Sequence, residues 1–330
     1  MNRSVIKQKT TASTRPGNIQ YAMRCACAAL LLAVAPATLG NTTNTWNNAA
    51  AGTYSWSTAG NWSPSAPGSG SSTTTVQFFN NTTTVLATPT YIITNDDPAS
   101  LTLNALNLEG KANATSPGTT VYIGTAGNTW TFDGSTPTIN LDGVNNSQGL
   151  SETILPNLQL SQNVTFTGSG TAGFIFNGLL SGSGTITKSG SSTLKMDGNS
   201  TSYAGAISVS AGTLQIGNAT SGSASLGTGT ITLSGSGSFM IRKTSSETVN
   251  NTITGTTTGT VSFQPIGTVN ITYTLNKANT YTAPTTLTSG TSTSRIGTLK
   301  LGIANGLPTT TVLTIGNASG TVMTLSLIHI

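Results

Sequence analysis

From about residue 91 onward, the chain consists of short segments in which apolar and polar residues alternate. A period of two indicates a half-buried β-strand, and each segment is closed by Gly or Asn, which are turn residues. No segment has a convincing helical period. The pattern predicts an all-β protein, although a sandwich or a barrel would show similar strands. Examples are "LTLNALNLEG", "TINLDG", "FIFNG", "STLKMDG" and "GTLQIG".

Internal repetition favours a solenoid over a sandwich or a barrel. The segment "TSYAGAISVSAGTLQIGN" at 201–218 returns, with changes, as "NTYTAPTTLTSG" at 279–290 and "GTLKLG" at 297–302. The following segments also match, since "LGTGTITL" at 226–233 resembles "LPTTTVLTI" at 307–315. One supersecondary unit that stacks on its neighbours explains this repetition.

Composition agrees with a parallel stack. Only 6% of the residues are charged, against about 25% in an average protein. Equivalent residues of successive rungs lie about 4.8 Å apart in such a stack, so a column of like charges would repel along its length. Columns of Thr, Ser and Asn avoid that repulsion, and inward Ile, Leu, Val, Phe and Met would fill the core.

The net charge of +5 comes from the N-terminus, because five of the thirteen basic residues lie in the first 24. After residue 40, eight basic residues balance eight acidic ones. This part of the chain lacks the basic stripe that nucleic acid requires, so we expect no nucleic-acid partner.

Residues 1–40 have the pattern of a secretory signal peptide: a basic segment, the apolar run in "CACAALLLAVAPATLG", and a small-residue exit. Cleavage after Ala37 or Gly40 fits this pattern, and an uncleaved anchor is the alternative. Both cysteines, Cys25 and Cys27, lie in this segment, so the exported chain would contain neither disulfides nor thiols.

Residues 41–90 form a predicted N-terminal cap or small β module before the repeat region at 91–324. This segment contains Trp46, Trp56 and Trp62. A solenoid needs a cap because its first rung would otherwise expose an open strand edge. We expect the tryptophans to be buried, and an exposed carbohydrate-binding platform is the alternative.

The last six residues, "LSLIHI" at 325–330, look like the translation of a sequencing adaptor. We therefore expect a C-terminally truncated fragment in which His329, the single histidine of the sequence, is an artefact; a genuine last strand is the alternative. Any membrane attachment would depend on a C-terminal anchor beyond this sequence. The truncated last rung would have an unpaired edge, so we expect end-to-end self-association.

The segment "GSGTITKSGSSTLKMDGNS" at 182–200 and its continuation resemble the autotransporter-associated β-strand repeat of bacterial surface proteins. The sequence departs from the family pattern at Ser192 and Met196, where Gly and Leu are usual, and Ala283-Pro284 replaces Gly in the second copy. The resemblance implies a right-handed parallel β-helix that is exported to the cell surface, the outer membrane or the medium, and it implies no catalytic residues. The repeat-motif residues are Gly182, Gly184, Thr187, Lys188, Gly190, Thr193, Leu194, Gly198, Tyr203, Gly205, Gly212, Thr213 and Leu214, with Asn279, Tyr281, Gly297 and Leu299 in the second copy.

Candidate chemistry is sparse. We assign no catalytic, cofactor-binding or metal-binding residues, because a serine nucleophile needs a base and clusters of His and Cys are absent from the sequence. The predicted function is a non-enzymatic stalk or adhesin-like passenger that contacts glycans or other surface chains. The alternative is a polysaccharide lyase or hydrolase that uses Asp96, Asp97, Asp133 or Asp142, although Asp-Gly and Asp-Asp-Pro are also ordinary turn formers.

Overall fold

A computed structural model describes residues 41–79, 85–86, 90–93, 96–112, 119–144, 149–219, 222–288, 296–316 and 322–327. The predicted signal peptide, with both cysteines, and His329 lie outside the described residues. Within these ranges there is no helix of the length and apolar character needed to cross a membrane.

The described residues form 33 strands and one 3₁₀ turn at Ala59–Asn61. The strands are β1 (Thr42–Trp46), β2 (Thr53–Tyr54), β3 (Trp62–Ser63), β4 (Thr74–Phe78), β5 (Val85–Leu86), β6 (Thr90–Ile93), β7 (Ser100–Leu103), β8 (Ala105–Leu108), β9 (Lys111–Ala112), β10 (Thr119–Ile123), β11 (Thr129–Phe132), β12 (Thr138–Leu141), β13 (Leu150–Ile154), β14 (Asn157–Leu160), β15 (Val164–Thr167), β16 (Gly173–Phe176), β17 (Leu180–Gly182), β18 (Ile186–Lys188), β19 (Thr193–Met196), β20 (Asn199–Ser200), β21 (Ile207–Val209), β22 (Thr213–Ile216), β23 (Ser225–Leu226), β24 (Ile231–Leu233), β25 (Ser238–Lys243), β26 (Glu247–Val249), β27 (Ile253–Gly255), β28 (Val261–Pro265), β29 (Ile271–Leu275), β30 (Thr285–Thr288), β31 (Ile296–Leu301), β32 (Leu313–Gly316) and β33 (Val322–Leu327).

All of the strands except β5 and β9, which pair with each other, build three faces of a parallel solenoid. Face 1 has the order β27-β24-β21-β18-β15-β12-β8-β4-β1-β3, and face 2 has the order β2-β6-β10-β13-β16-β19-β22-β25-β28-β30-β32. Face 3 consists of three shorter sheets, β17-β14-β11-β7, β20-β23 and β26-β29-β31-β33. The chain visits faces 1, 2 and 3 in turn, so the predicted all-β solenoid is confirmed, whereas its handedness stays a prediction.

Apolar columns fill the narrow interior. On face 1, register aligns Val164, Ile186, Ile207, Ile231 and Ile253, and all five are buried. β-Branched side chains suit this position because their restricted χ1 packs well on a pleated surface. The opposite surface of the same strands carries the hydroxyl column Thr165, Thr187, Ser208, Thr232 and Thr254.

The N-terminal end of the stack is closed by aromatic rings. Trp46, Trp56 and Trp62 are buried, and the Trp56 and Trp62 ring centroids lie 4.6 Å apart. β3 pairs with β1 in the antiparallel direction, whereas β1 and β4 continue face 1 in parallel. The burial agrees with cap tryptophans rather than with an exposed platform; the domain boundaries stay predictions.

The two sequence copies lie on different faces. The first copy forms β21 on face 1 and β22 on face 2, whereas the second forms β30 on face 2 and β31 on face 3. Residues 279–282 occupy the face 1 position without a strand of their own, because Thr280 N and Thr282 N donate to the carbonyls of Ile253 and Gly255 at 3.0 Å. The repeat is therefore shifted by one face.

The C-terminal end of the stack exposes apolar side chains. Val312, which precedes the edge strand β32, is 69% exposed, and Val322, the first residue of the edge strand β33, is 54% exposed. Residues 325–327 complete β33 and 328–330 lie outside the described residues, so the adaptor interpretation stays a prediction.

We expect the 330-residue chain to associate through the β32 and β33 edges, since unpaired edge strands template further pairing. Val312→Lys combined with Val322→Lys should give a monomer by light scattering at concentrations where the wild type forms larger species. The matched control is Val269→Lys, because Val269 is 57% exposed in the turn between β28 and β29. A monodisperse wild-type monomer at high concentration would contradict this expectation.

Candidate functional site

The repeat-motif glycines lie at corners where successive rungs touch. A Cβ atom on Gly190 would overlap the carbonyl oxygen of Gly168, and one on Gly205 would overlap that of Gly184. Gly212 also has a positive φ of 66°, which glycine adopts without strain. The corners are therefore built from direct backbone contact between rungs. Gly182, Gly184 and Gly198 make the same kind of contact with the preceding rung.

Tyr203 connects two successive rungs at one of these corners. Its ring is buried, and its hydroxyl donates to the Gly184 carbonyl at 2.8 Å. Burial raises the pKa of Tyr203 to about 12. Gly205 lies under the ring, where a Cβ would collide with the phenol. The Tyr-x-Gly spacing of the motif thus provides a ring and the space for it.

Lys188 is fully buried although it carries a charge. Its Nζ donates to the Gly190 carbonyl and lies 3.4 Å from the Ala211 carbonyl oxygen. Register aligns it with Phe166 and Val209, so it points inward from face 1. Burial lowers the pKa of Lys188 to about 8. Lys188 therefore links two corner segments from inside the stack.

The other motif residues occupy regular positions. Thr187 is exposed, Thr193 and Thr213 are half-buried partners, and Leu194 and Leu214 form an inward pair. In the second copy, the Asn279 side chain accepts from Ile253 N at 2.7 Å and donates to the Gly306 carbonyl at 2.6 Å. The Tyr281 and Thr285 hydroxyls lie 2.8 Å apart. Gly297 lies in β31 against Met323 and Pro265, and Leu299 is buried.

Three of the four aspartates considered for catalysis have structural hydrogen bonds. Asp96 accepts from the hydroxyls of Ser55 and Ser57 and from the backbone N–H groups of Trp56 and Ser57. Burial raises the pKa of Asp96, but these hydrogen bonds lower it overall. Asp97 accepts from Trp130 Nε1 at 3.2 Å.

Asp142 accepts from Asn140 Nδ2 at 2.7 Å and from Ser169 N at 2.8 Å. Asp133 is exposed in the turn after β11. These positions agree with turn and packing roles, and no contact among the described residues favours the lyase or hydrolase alternative.

Glu152 is a buried carboxyl group that was not predicted from the sequence. Glu152 is fully buried, and neither of its carboxyl oxygens has a hydrogen-bond partner among the described residues. Burial and, secondarily, nearby Glu109 raise the pKa of Glu152 well above its ordinary value. Burial and Asp142 likewise raise the pKa of Glu109. The raised pKa of Glu152 favours its neutral form over the carboxylate, and a neutral carboxyl group costs less to bury.

A polar groove of about 560 Å³ crosses the outer surface of face 2. Its lining includes Ser151, Gly173, Lys195, Gln215 and Arg242, which come from five successive strands, β13, β16, β19, β22 and β25. A neighbouring hollow of about 300 Å³ shares Ser151 with it and adds Tyr122 and Asp197. This groove was not predicted from the sequence. No motif in the sequence marks it, because its lining residues come from different rungs.

The centre of this stack is similar to a known repeat family. Residues 186–216, from β18 to the end of β22, match the family model of the passenger-associated-transport-repeat. The chain carries a passenger-associated-transport-repeat. No curated protein and no solved structure gives a match to this chain.

The match covers five successive strands, β18 to β22, which make one full circuit over faces 1, 2 and 3 and then faces 1 and 2 of the next rung. It contains Lys188, Gly190, Tyr203, Gly205 and Gly212, the residues that build the corners described above. A repeat of this family within a parallel solenoid fits an autotransporter passenger scaffold.

We expect Gly190→Ala to lower the free energy of unfolding by about 1–3 kcal/mol, because the added methyl group would press on the Gly168 carbonyl. The control is Gly60→Ala, since a Cβ at Gly60 meets nothing within 4 Å; its effect should stay within about 0.5 kcal/mol. Denaturant unfolding measures both. Equal effects would show that rung contact at Gly190 does not limit stability.

Lys188 should make stability depend on pH. Its ordinary pKa is 10.5 and the folded value is about 8, so between these values the unfolded chain binds more protons. Stability therefore rises with pH in this window, by at most about 1.4 kcal/mol per unit. Buried Tyr203 acts in the opposite sense only above about pH 10, its ordinary pKa.

Lys188→Met isolates the lysine, because it keeps a long side chain and removes the charge. From pH 8 to 10, the free energy of unfolding of the wild type should rise relative to that of Lys188→Met. If the difference in unfolding free energy did not depend on pH, burial would not lower the pKa of Lys188.

Proposed function

We propose that this protein is an exported, non-enzymatic surface scaffold, an adhesin-like passenger or stalk. The observation that carries the proposal is the passenger-associated-transport-repeat at residues 186–216 in the middle of a continuous parallel stack. The family implies an exported and surface-associated protein. The predicted signal peptide at 1–40 supports export.

The stack suits a rigid spacer. Each rung adds about 4.8 Å of length, and every rung is joined to the next by backbone hydrogen bonds on its faces. Hydroxyl columns further connect the rungs: Thr232 and Thr254 oxygens lie 3.3 Å apart, and those of Thr298 and Thr324 lie 2.9 Å apart. Length and stiffness are what a stalk requires.

The outer surface suits contact with glycans or sister chains. The hydroxyl column on face 1 is uncharged, and a hydroxyl group both donates and accepts hydrogen bonds. Such a surface matches the hydroxyl groups of neutral sugars without the desolvation of ions. We therefore assign a contact role to the faces and a spacing role to the stack.

Surface labelling tests this proposal. A membrane-impermeant amine reagent applied to intact cells of the source organism should label Lys277, which is exposed, and should leave buried Lys188 unlabelled. Peptide mapping separates the two sites. Deletion of residues 1–40 provides the control, since the unexported chain should not be labelled before lysis. Labelling of the wild type only after lysis would overturn surface location.

A further inference from the structure

The groove on face 2 exists because one side chain is missing from its floor. Gly173 pairs with Ser151 in the register of β13 and β16. A Cβ at Gly173 would lie 3.4 Å from Lys195 Nζ and 3.5 Å from Ser151 Oγ. The Lys195 ammonium group therefore lies over the glycine, inside the groove.

Two cations line the groove. Burial lowers the pKa of Lys195, and the nearby Arg242 charge lowers it further, whereas Asp197 acts in the opposite direction. In the described ranges the one salt bridge joins Lys243 to Glu247, so it involves neither Lys195 nor Arg242. Two positive groups and one carboxylate leave the groove with an excess positive charge.

Two polar atoms at the groove have no hydrogen-bond partner in the described part of the chain. Arg242 Nε is a buried donor, and Asp197 Oδ1 is a buried acceptor. Such groups destabilise a fold when they stay unsatisfied, so native structures usually provide a partner. A ligand that both accepts and donates would satisfy the pair.

The remaining walls suit a sugar ring. Tyr122 lines the adjoining hollow, where an aromatic ring offers an apolar surface to C–H groups. Ile175 lies in the same column between Thr153 and Lys195, and it contributes a second apolar patch. Ser151 supplies a hydroxyl group, and the Gln215 amide lines the far wall.

We propose that this groove binds an anionic sugar, a uronate unit of an acidic polysaccharide. The carboxylate lies between Lys195 and Arg242, since a guanidinium group binds carboxylates in a fixed forked geometry. A sugar hydroxyl donates to Asp197 Oδ1, and the ring packs against Ile175 and Tyr122. The inference rests on the proposed function in one respect, since a surface scaffold meets extracellular polysaccharides.

Calorimetric titration of the purified protein with tetragalacturonate tests the proposal. Maltotetraose, a neutral tetrasaccharide, should bind at least about tenfold more weakly, because it lacks the carboxylate. Lys195→Gln and Arg242→Gln should each weaken tetragalacturonate binding about tenfold or more, as expected for loss of a charged hydrogen bond. Lys277→Gln is the matched control, because it removes an exposed charge outside the groove and should leave the affinity unchanged.

Gly173→Val provides a test that keeps every charge. Its side chain would fill the space below Lys195 and should weaken binding by a similar factor, while the melting temperature shows whether the stack is intact. Equal affinity of wild type and Gly173→Val, or equal affinity for the two tetrasaccharides, would overturn the assignment. Equal binding of oligothymidylate would also overturn it, because it would indicate a site for anions of any kind.

The outcomes separate this inference from the proposed function. If the surface labelling fails while tetragalacturonate binds the purified protein, the location is wrong and the groove assignment holds. If Lys195→Gln and the wild type are both labelled on intact cells but the purified wild type binds no tetragalacturonate, the proposed function holds and the groove assignment is wrong.

Discussion

In-register hydrogen bonding between parallel rungs is the constraint on which the rest of this structure depends. It holds equivalent residues about 4.8 Å apart, so each position is repeated as a column. Inward columns must be apolar, as from Val164 to Ile253, and outward columns must tolerate a like neighbour, as Thr232 and Thr254 do. At corners the rungs touch through their backbones, and a side chain at Gly190 would separate them.

The same constraint decides how the stack accommodates charge. Lys188 donates to corner carbonyls and has a lowered pKa, so its ammonium group is both bonded and more easily neutralised. Burial raises the pKa of Glu152 and so favours its neutral form in the interior. Lys243, at the end of β25, forms a salt bridge with Glu247 at the start of β26. These are three ways to avoid a repeated buried charge, and each is used at a position where the columns change residue type.

The sequence allowed prediction of the solenoid because a period of two and a repeated unit are local signals. Gly190 and Tyr203, which the repeat motif had singled out, lie at corners of the stack. The face occupied by the second copy was not predictable, because 279–282 replace a strand with an extended segment that pairs through the same backbone bonds. The groove was not predictable either, since Gly173, Lys195 and Arg242 come from different rungs and form no motif in sequence.

The groove shows where a repeat protein of this kind gains a specific surface. In a regular column each outward side chain is supported by those of the rungs before and after it, so the face stays even. Gly173 removes one such support, and Lys195 follows Ile175 where other columns continue with Thr or Ser. The departure from the repeat leaves both the hollow and the charge on which the proposed uronate site depends. Breaks in the columns, rather than the corners, are therefore the places at which we expect a binding site in a scaffold of this kind.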